Sequence, residues 1–455
     1  VSGALTMITK GAPETVLGRA NGDTTAAAKA LESLFAGGMR VIAVATKQVT
    51  TASISTDDET NLEIAGFLTF FDRPRPDAGD AIARLGGLGI DVKIVTGDNG
   101  TVARRVCEDI GVDVRGLLTD DDVATMDDDT LAAAIPATTI FSRISPAQKA
   151  RIITVARGRG TDVAFLGDGV NDAAALHAAD VGISVDSAVD VAKEAADVVL
   201  LDKSLAVLAD GVVEGRRIFN NTMKYVLMAT SSNFGNMFSA AGASFFLSFL
   251  PLLPGQVLLN NLLYDVGQLA IPVDAVDDEV LRRPAAWDLS FVKRFMITFG
   301  PVSSLFDFLT FWVMLSVLNA GTAEFRSGWF IESLTTQTLV VFVIRTRRIP
   351  FFRSSPGTAM RILPPLAAAI GIAVPFSPVA ERLGFGALQR HFFLILLGMV
   401  AVYLALVEMA KVWFYARIGR PVATDLSVEQ QSHRHIRRRG LRFVEHRGPG
   451  NNGAA

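Results

Sequence analysis

Two hydrophobic patterns divide this chain. Through its first half, short apolar runs of strand length alternate with helical stretches. Through its second half, long runs carry almost no charge. From about residue 66 to 215 candidate strands lie at 67–71, 92–95, 139–141, 163–166, 181–185 and 198–201. Such alternation predicts a mostly parallel sheet with helices on both faces. Ligands of such sheets gather at the carboxyl ends of the strands, where Thr96, Asp98 and Asp168 fall. An earlier strand is expected at 41–45, after Gly37-Gly38-Met39-Arg40.

Beyond residue 216 the chain reads as an all-α membrane domain. Residues 225–249 form an uncharged run of roughly 25 residues, enough for one span. Further candidates are 256–273, 296–318, 329–344, 362–376 and 392–414, six spans in all up to about residue 420. Arg282, Arg283, Lys293 and Arg294, then Arg345, Arg347, Arg348 and Arg353, then Arg417 and Arg420 fall in alternate loops. This positive-inside pattern places both ends of the chain in the cytosol. The tail, 421–455, is basic and lacks an apolar face. It is read as disordered, or as touching anionic headgroups at about 1 kcal/mol per basic residue.

Composition sharpens this division. Half of the 455 residues are hydrophobic, and a mean hydropathy of +0.36 suits a chain that is part membrane. One cysteine, Cys107, excludes an internal disulfide and a cysteine metal cluster. Five histidines make a histidine-rich transition-metal site a poor expectation. With a net charge of −3, no nucleic-acid partner is expected.

The chemistry centres on Gly167-Asp168-Gly169-Val170-Asn171-Asp172, a glycine-bracketed turn between a strand and an alanine-rich helix. Two carboxylates four apart with an amide between them suit a hard cation such as Mg2+. The glycines admit a ligand close to the backbone. Within the spans, Asn233 and Asn236 lie three apart, and Asn261 and Asp265 lie four apart on one helical face. A carboxylate at bilayer depth is costly and usually functional, and Asp307 and Glu332 also lie in or near spans. The acidic stretch 120–129 is read as a solvated helix start.

The run GDGVNDAAAL resembles the phosphorylation domain of P-type ATPases, a haloacid-dehalogenase-like α/β fold. Thr96-Gly97-Asp98 and Lys149, in Ser145-Pro146-Ala147-Gln148-Lys149, match further motifs of that domain. Asp72-Arg73-Pro74-Arg75-Pro76 resembles the family's hinge motif, with Arg73 a departure, and Lys10-Gly11-Ala12-Pro13-Glu14 resembles its nucleotide-binding domain. The resemblance implies three regions before the tail: the end of a nucleotide-binding domain at 1–65, a phosphorylation domain at 66–215 and six spans at 216–420. It implies phosphoryl transfer from ATP to an aspartate, a reaction governed by positioning and charge neutralisation. In that scheme Asp168 and Asp172 hold catalytic Mg2+, and Thr96, Gly97, Asp98, Lys149 and Asn171 order the phosphoryl site. Lys10, Arg40, Asp72 and Arg75 would serve the nucleotide. The sequence holds no Asp-Lys-Thr-Gly-Thr, the family's phosphorylated segment, so a C-terminal fragment without the acceptor aspartate is expected.

The membrane half resembles bacterial magnesium-transporting members through Ser232-Asn233-Phe234-Gly235-Asn236-Met237 and Asn261-Leu262-Leu263-Tyr264-Asp265-Val266. This implies ATP-driven Mg2+ import at the inner membrane, with Asn233, Asn236, Asn261 and Asp265 holding the transported ion. Asn236 stands where calcium pumps carry a glutamate; Ca2+ or another divalent cation remains the alternative. An inactive pump remnant, and a dehalogenase-type hydrolase on a membrane anchor, with Asp72 as its nucleophile, stay open as well.

Overall fold

In a computed structural model, described over residues 5–418 apart from Asp72, Lys203 and Arg283, the chain forms two compact units that divide between Gly211 and Val212. Asp72, Arg283, Arg420 and the basic tail therefore lie outside the described residues.

The first unit contains three small sheets where one mostly parallel sheet was expected. Strands β1 (Leu5–Gly11), β2 (Arg40–Val49) and β3 (Glu63–Phe70) form an antiparallel sheet in sequence order. The run at 67–71 thus belongs to this antiparallel sheet, where Arg40 pairs with Phe70. Its alternating inward positions, Met7, Ala43 and Ala45, close a small core with Val16 and Leu62. Strands β4 (Ile94–Val95), β5 (Leu117–Thr119) and β6 (Ile140–Ser142) form a parallel sheet with β6 in the centre. Strands β7 (Ala164–Leu166), β8 (Val181–Val185) and β9 (Val198–Leu200) form another, with β8 in the centre. Buried Phe141, Ile144 and Ile152 anchor the core under β6.

The acidic stretch does start helices. Thr119 and Asp122 form a reciprocal cap ahead of the Asp120–Thr125 helix, and Asp127 caps Asp128–Ala134. The backbone N–H of Thr119 holds the Asp122 carboxyl below its ordinary pKa, and the Thr130 hydroxyl does the same for Asp127. Asp120 has another duty. Its Oδ1 accepts the N–H and the hydroxyl of Ser145 at 2.9 and 3.0 Å, which secures the start of the Pro146–Gly158 helix.

The second unit is helical. A 39-residue helix, Leu205–Ala243, leads into it, followed by Pro254–Gln268, Leu289–Trp312, Thr322–Ile344, Thr358–Ala373 and Arg390–Arg417. Among the described residues, four stretches are long and apolar enough to cross a membrane: Leu289–Val317, Thr322–Ile344, Thr358–Phe376 and Arg390–Arg417. The first two of the six expected spans fall on Leu205–Ala243 and on the 15-residue Pro254–Gln268, which do not meet that measure. Thr322–Ile344 is buried on nearly every side, as a helix without a polar stripe should be. Close approach is achieved with glycine: a Cβ at Gly371 would meet Leu334 Cδ2 at 2.0 Å.

A charged knot fastens one end of this unit. Asp274 Oδ2 accepts from Arg345 Nε at 2.8 Å and from Lys224 Nζ at 2.9 Å, while its Oδ1 accepts the Gly357 N–H at 3.0 Å. Burial alone would raise the Asp274 pKa. The Arg345 hydrogen bond and the Lys224 charge outweigh burial and hold it below its ordinary value. Lys411 adds a second fastening, donating to the carbonyls of Val343, in the last turn of Thr322–Ile344 where acceptors are left open, and of Arg348 just beyond it, at 3.0 and 3.1 Å.

Candidate functional site

Thr96-Gly97-Asp98 follows β4 directly. The Thr96 hydroxyl oxygen accepts the Asp98 N–H at 3.0 Å, which shapes the turn. The carbonyls of Thr96 and Asp98 accept the N–H groups of Ile144 and Arg143, each at 3.0 Å, tying this loop to the one after β6. Arg143 adopts φ 57°, a left-handed conformation uncommon outside glycine and found where function constrains the backbone. Its guanidinium pairs with Glu14, to which the Asn99 amide also donates at 3.4 Å. Arg40 pairs with Asp98 at 3.1 Å. Glu14, Arg40, Asp98, Asn99 and Arg143, with Phe71, line a cavity of about 590 Å3 that mixes charged and apolar side chains.

The second loop follows β7. Gly167 is buried, and a Cβ there would meet Asp172 Cβ at 2.7 Å and the Phe165 ring at 2.9 Å, so only glycine fits. The Ser184 hydroxyl donates to the Gly167 carbonyl at 2.9 Å. Asp172 Oδ2 accepts the Gly169 N–H at 3.2 Å, and its Oδ1 accepts from Lys149 Nζ at 2.8 Å. The side chains of this ion pair are 12% and 13% exposed, sheltered but reachable. Asp168 and Asn171 stand exposed beside it. Among the described residues Asp168 has no ion-pair partner. Its carboxylate and the Asn171 amide offer oxygen donors of the type Mg2+ takes.

Other expected residues lie elsewhere. Lys10 was expected in a turn; it stands exposed on β1, paired in the ladder with Val44, because that strand continues through Gly11. Arg75 pairs with Asp77 at 3.2 Å and lines a smaller cavity of about 330 Å3.

In the helical unit, among the described residues, no hydrogen bond links one of the four expected ion ligands to another. Asn236 turns inward, and its Oδ1 accepts from Gln337 Nε2 at 2.8 Å and from the Ser333 hydroxyl at 3.4 Å. Asn260 donates to that same hydroxyl at 3.5 Å. Asn233, Asn261 and Asp265 are exposed. The inward face of Pro254–Gln268 carries Gln256, Asn260, Tyr264 and Gln268. Asn261 and Asp265 lie one residue further on, about 100° around the helix. Asn260, on Pro254–Gln268, and Ser333 and Gln337, on Thr322–Ile344, were missed in the sequence, because polar residues fall on more than one face of each helix and do not mark the inward one. Arg143 and Glu14 were missed as site residues because what joins them is a fold-level contact.

A haloacid dehalogenase-like hydrolase family model matches residues 11–180, and a model of the cation transporting ATPase C-terminus matches residues 249–413. With the loops above and the apolar helices after them, these define a class, and the chain belongs to the P-type cation-transporting ATPases.

Within that class it is similar to the protein named Magnesium-transporting ATPase, P-type 1 from Escherichia coli (strain K12), 47% identical over 394 residues covering 85% of this chain and 44% of that protein. The protein of the same name from Salmonella typhimurium (strain LT2) is 45% identical over the same shares. Calcium-transporting ATPase 1 of Yarrowia lipolytica is 36% identical over 253 residues, 54% of this chain and 27% of that protein. The chain thus spans less than half the length of the curated relatives it matches.

Proposed function

We propose that this chain is the phosphoryl-handling and ion-conducting part of an ATP-driven Mg2+ transporter working through an aspartyl-phosphate cycle. The observation that carries the reading is the sheltered Lys149–Asp172 pair at the end of β7, beside the exposed Asp168. A phosphoryl group in transfer spreads charge over its oxygens, and catalysis consists of neutralising and positioning them. Lys149 supplies a fixed cation, and Asp172 holds it in place. Asp168, with Asn171, would hold a catalytic Mg2+, which neutralises phosphoryl oxygens when bound. Thr96 and the Gly97 backbone position the same group. Arg40, paired with Asp98 in the cavity lining, would exchange that partner for nucleotide phosphate, for which its fork is suited. The acceptor aspartate would come from an Asp-Lys-Thr-Gly-Thr segment in a complete pump.

Mg2+ as cargo is supported by the names of the bacterial relatives, and the inner membrane by the apolar helices together with those relatives. The distribution of arginines and lysines supports a cytosolic side for both ends of the chain. Asp265, with Asn233, Asn236 and Asn261, provides oxygen ligands for an ion that dehydrates reluctantly. The test is ATP-dependent Mg2+ uptake into vesicles by a complete pump carrying Asp265→Asn or Asn236→Ala. Both should lose uptake; unchanged uptake in both removes the proposed ion site. Ca2+ uptake in place of Mg2+ would favour the reading that the Yarrowia relative suggests.

A further inference from the structure

We infer that Asn236, Asn260, Ser333 and Gln337 form an uncharged, oxygen-bearing subsite for the transported divalent cation, separate from Asp265. The inference deepens the proposed transport reading and rests on it. Its starting point is a stripe of polar side chains on Pro254–Gln268. Gln256, Asn260, Tyr264 and Gln268, spaced four apart, all face inward and are buried, while Leu258 and Leu262 on the opposite side are exposed. An apolar stripe is what a helix on a soluble core turns inward. At bilayer depth, polar side chains turned inward mark ion and substrate pathways.

Three helices meet at the middle of that stripe. The Ser333 hydroxyl accepts from Asn260 Nδ2 at 3.5 Å and from Gln337 Nε2 at 2.5 Å, and donates to Asn236 Oδ1 at 3.4 Å. Gln337 Nε2 also donates to Asn236 Oδ1, at 2.8 Å. Asn260, Ser333 and Gln337 are 4%, 2% and 3% exposed. Among the described residues no charged side chain hydrogen-bonds to any of the four. The group is nevertheless incomplete, because Asn260 Oδ1 is buried without a donor. A buried amide oxygen left unpaired is costly and rare in native structures. It also means that rotating the Asn260 amide gives up no bond to its oxygen.

A partly hydrated Mg2+ ion suits such a group. It dehydrates reluctantly and keeps several waters in protein sites. Those waters direct O–H groups outward, which amide and hydroxyl oxygens accept. An amide's nitrogen and oxygen occupy equivalent positions, so turning the Asn260 and Gln337 amides over exchanges donor for acceptor without a change of shape. The ion is then offered four oxygens, one from each side chain. Neutral oxygens hold it loosely, as a station that the ion must leave requires.

ATP-dependent Mg2+ uptake by a complete pump, measured against Mg2+ concentration, tests the subsite. Gln337→Leu and Asn260→Leu each remove an oxygen, and each should raise the concentration for half-maximal uptake about 10-fold. Gln337→Glu separates an ion contact from a structural one. It loses the N–H donor but carries oxygen at both terminal positions, so the half-maximal concentration should fall and the maximal rate should slow, because a charged oxygen holds the ion longer. An unshifted leucine variant, or a Gln337→Glu pump whose half-maximal concentration does not fall, overturns the inference. Should a leucine variant fail to fold, Gln337→Glu against wild type still decides. Lost uptake in Asp265→Asn with no shift in these three variants would remove the subsite and leave the proposed function standing.

Discussion

The same kinds of charged side chain meet in the loops of the first unit and in the helical unit, under opposite conditions. Arg40 and Asp98 form their ion pair with side chains 53% and 39% exposed. Arg345 and Asp274 form theirs with 1% and 0% exposed. An exposed pair costs little to open, so Arg40 can be given over to a ligand phosphate. A buried one is fixed by its desolvation: removing a partner strands a charge, whereas the intact pair contributes modestly. The Lys149–Asp172 pair lies between these limits, sheltered enough to be fixed and open enough to be reached.

The largest test of this contrast is Arg345→Ala. It leaves Asp274 with Lys224 alone in a buried setting, and about 3–5 kcal/mol of destabilisation is expected, read as a lowered unfolding midpoint in detergent. Next comes Gly167→Ala. The added Cβ must displace Asp172, so phosphate turnover by a complete pump should fall about 10²-fold, while circular dichroism of the folded protein stays unchanged. The Asp274 pair also sets an acid limit. Its pKa lies below the ordinary 3.8; a depressed carboxylate contributes stability above the unfolded value and loses it as pH falls through the folded one. Unfolding midpoints should therefore be insensitive to this group at neutral pH and decline below about pH 4. Asp274→Asn should flatten that decline. The smallest effect is expected from Arg19→Ala, which breaks a surface pair with Glu59 whose side chains are 43% and 32% exposed. A change of about 0–1 kcal/mol, reduced further by salt, is expected from chemical denaturation.

How much was legible in the sequence follows from what sets each feature. The loops after β4 and β7 were legible because glycines, a short apolar strand and polar residues occur together locally, and the geometry at Gly167 gives the physical reason for one of those glycines. The antiparallel placement of 67–71 was not legible, because an apolar run does not state its partner; Arg40 opposite Phe70 does. Asn260 was passed over for Asn261, since a one-residue choice rotates a side chain by about 100° and polar residues on more than one face do not mark the inward one. Asp307 and Glu332 were noticed as costly residues in apolar stretches, but the donors that satisfy Asp307, Ser239 and Trp329, come from the packing of separate helices.

The central claim is that Lys149, held by Asp172, neutralises a transferring phosphoryl group while the helical unit binds the cation. ATP hydrolysis and Mg2+ binding should therefore be measured side by side in a complete pump carrying Lys149→Met. The account predicts hydrolysis reduced about 10²-fold, the scale of losing one positioned charge at a transition state, with Mg2+ binding to the membrane helices retained. Undiminished hydrolysis in a folded Lys149→Met pump would contradict it.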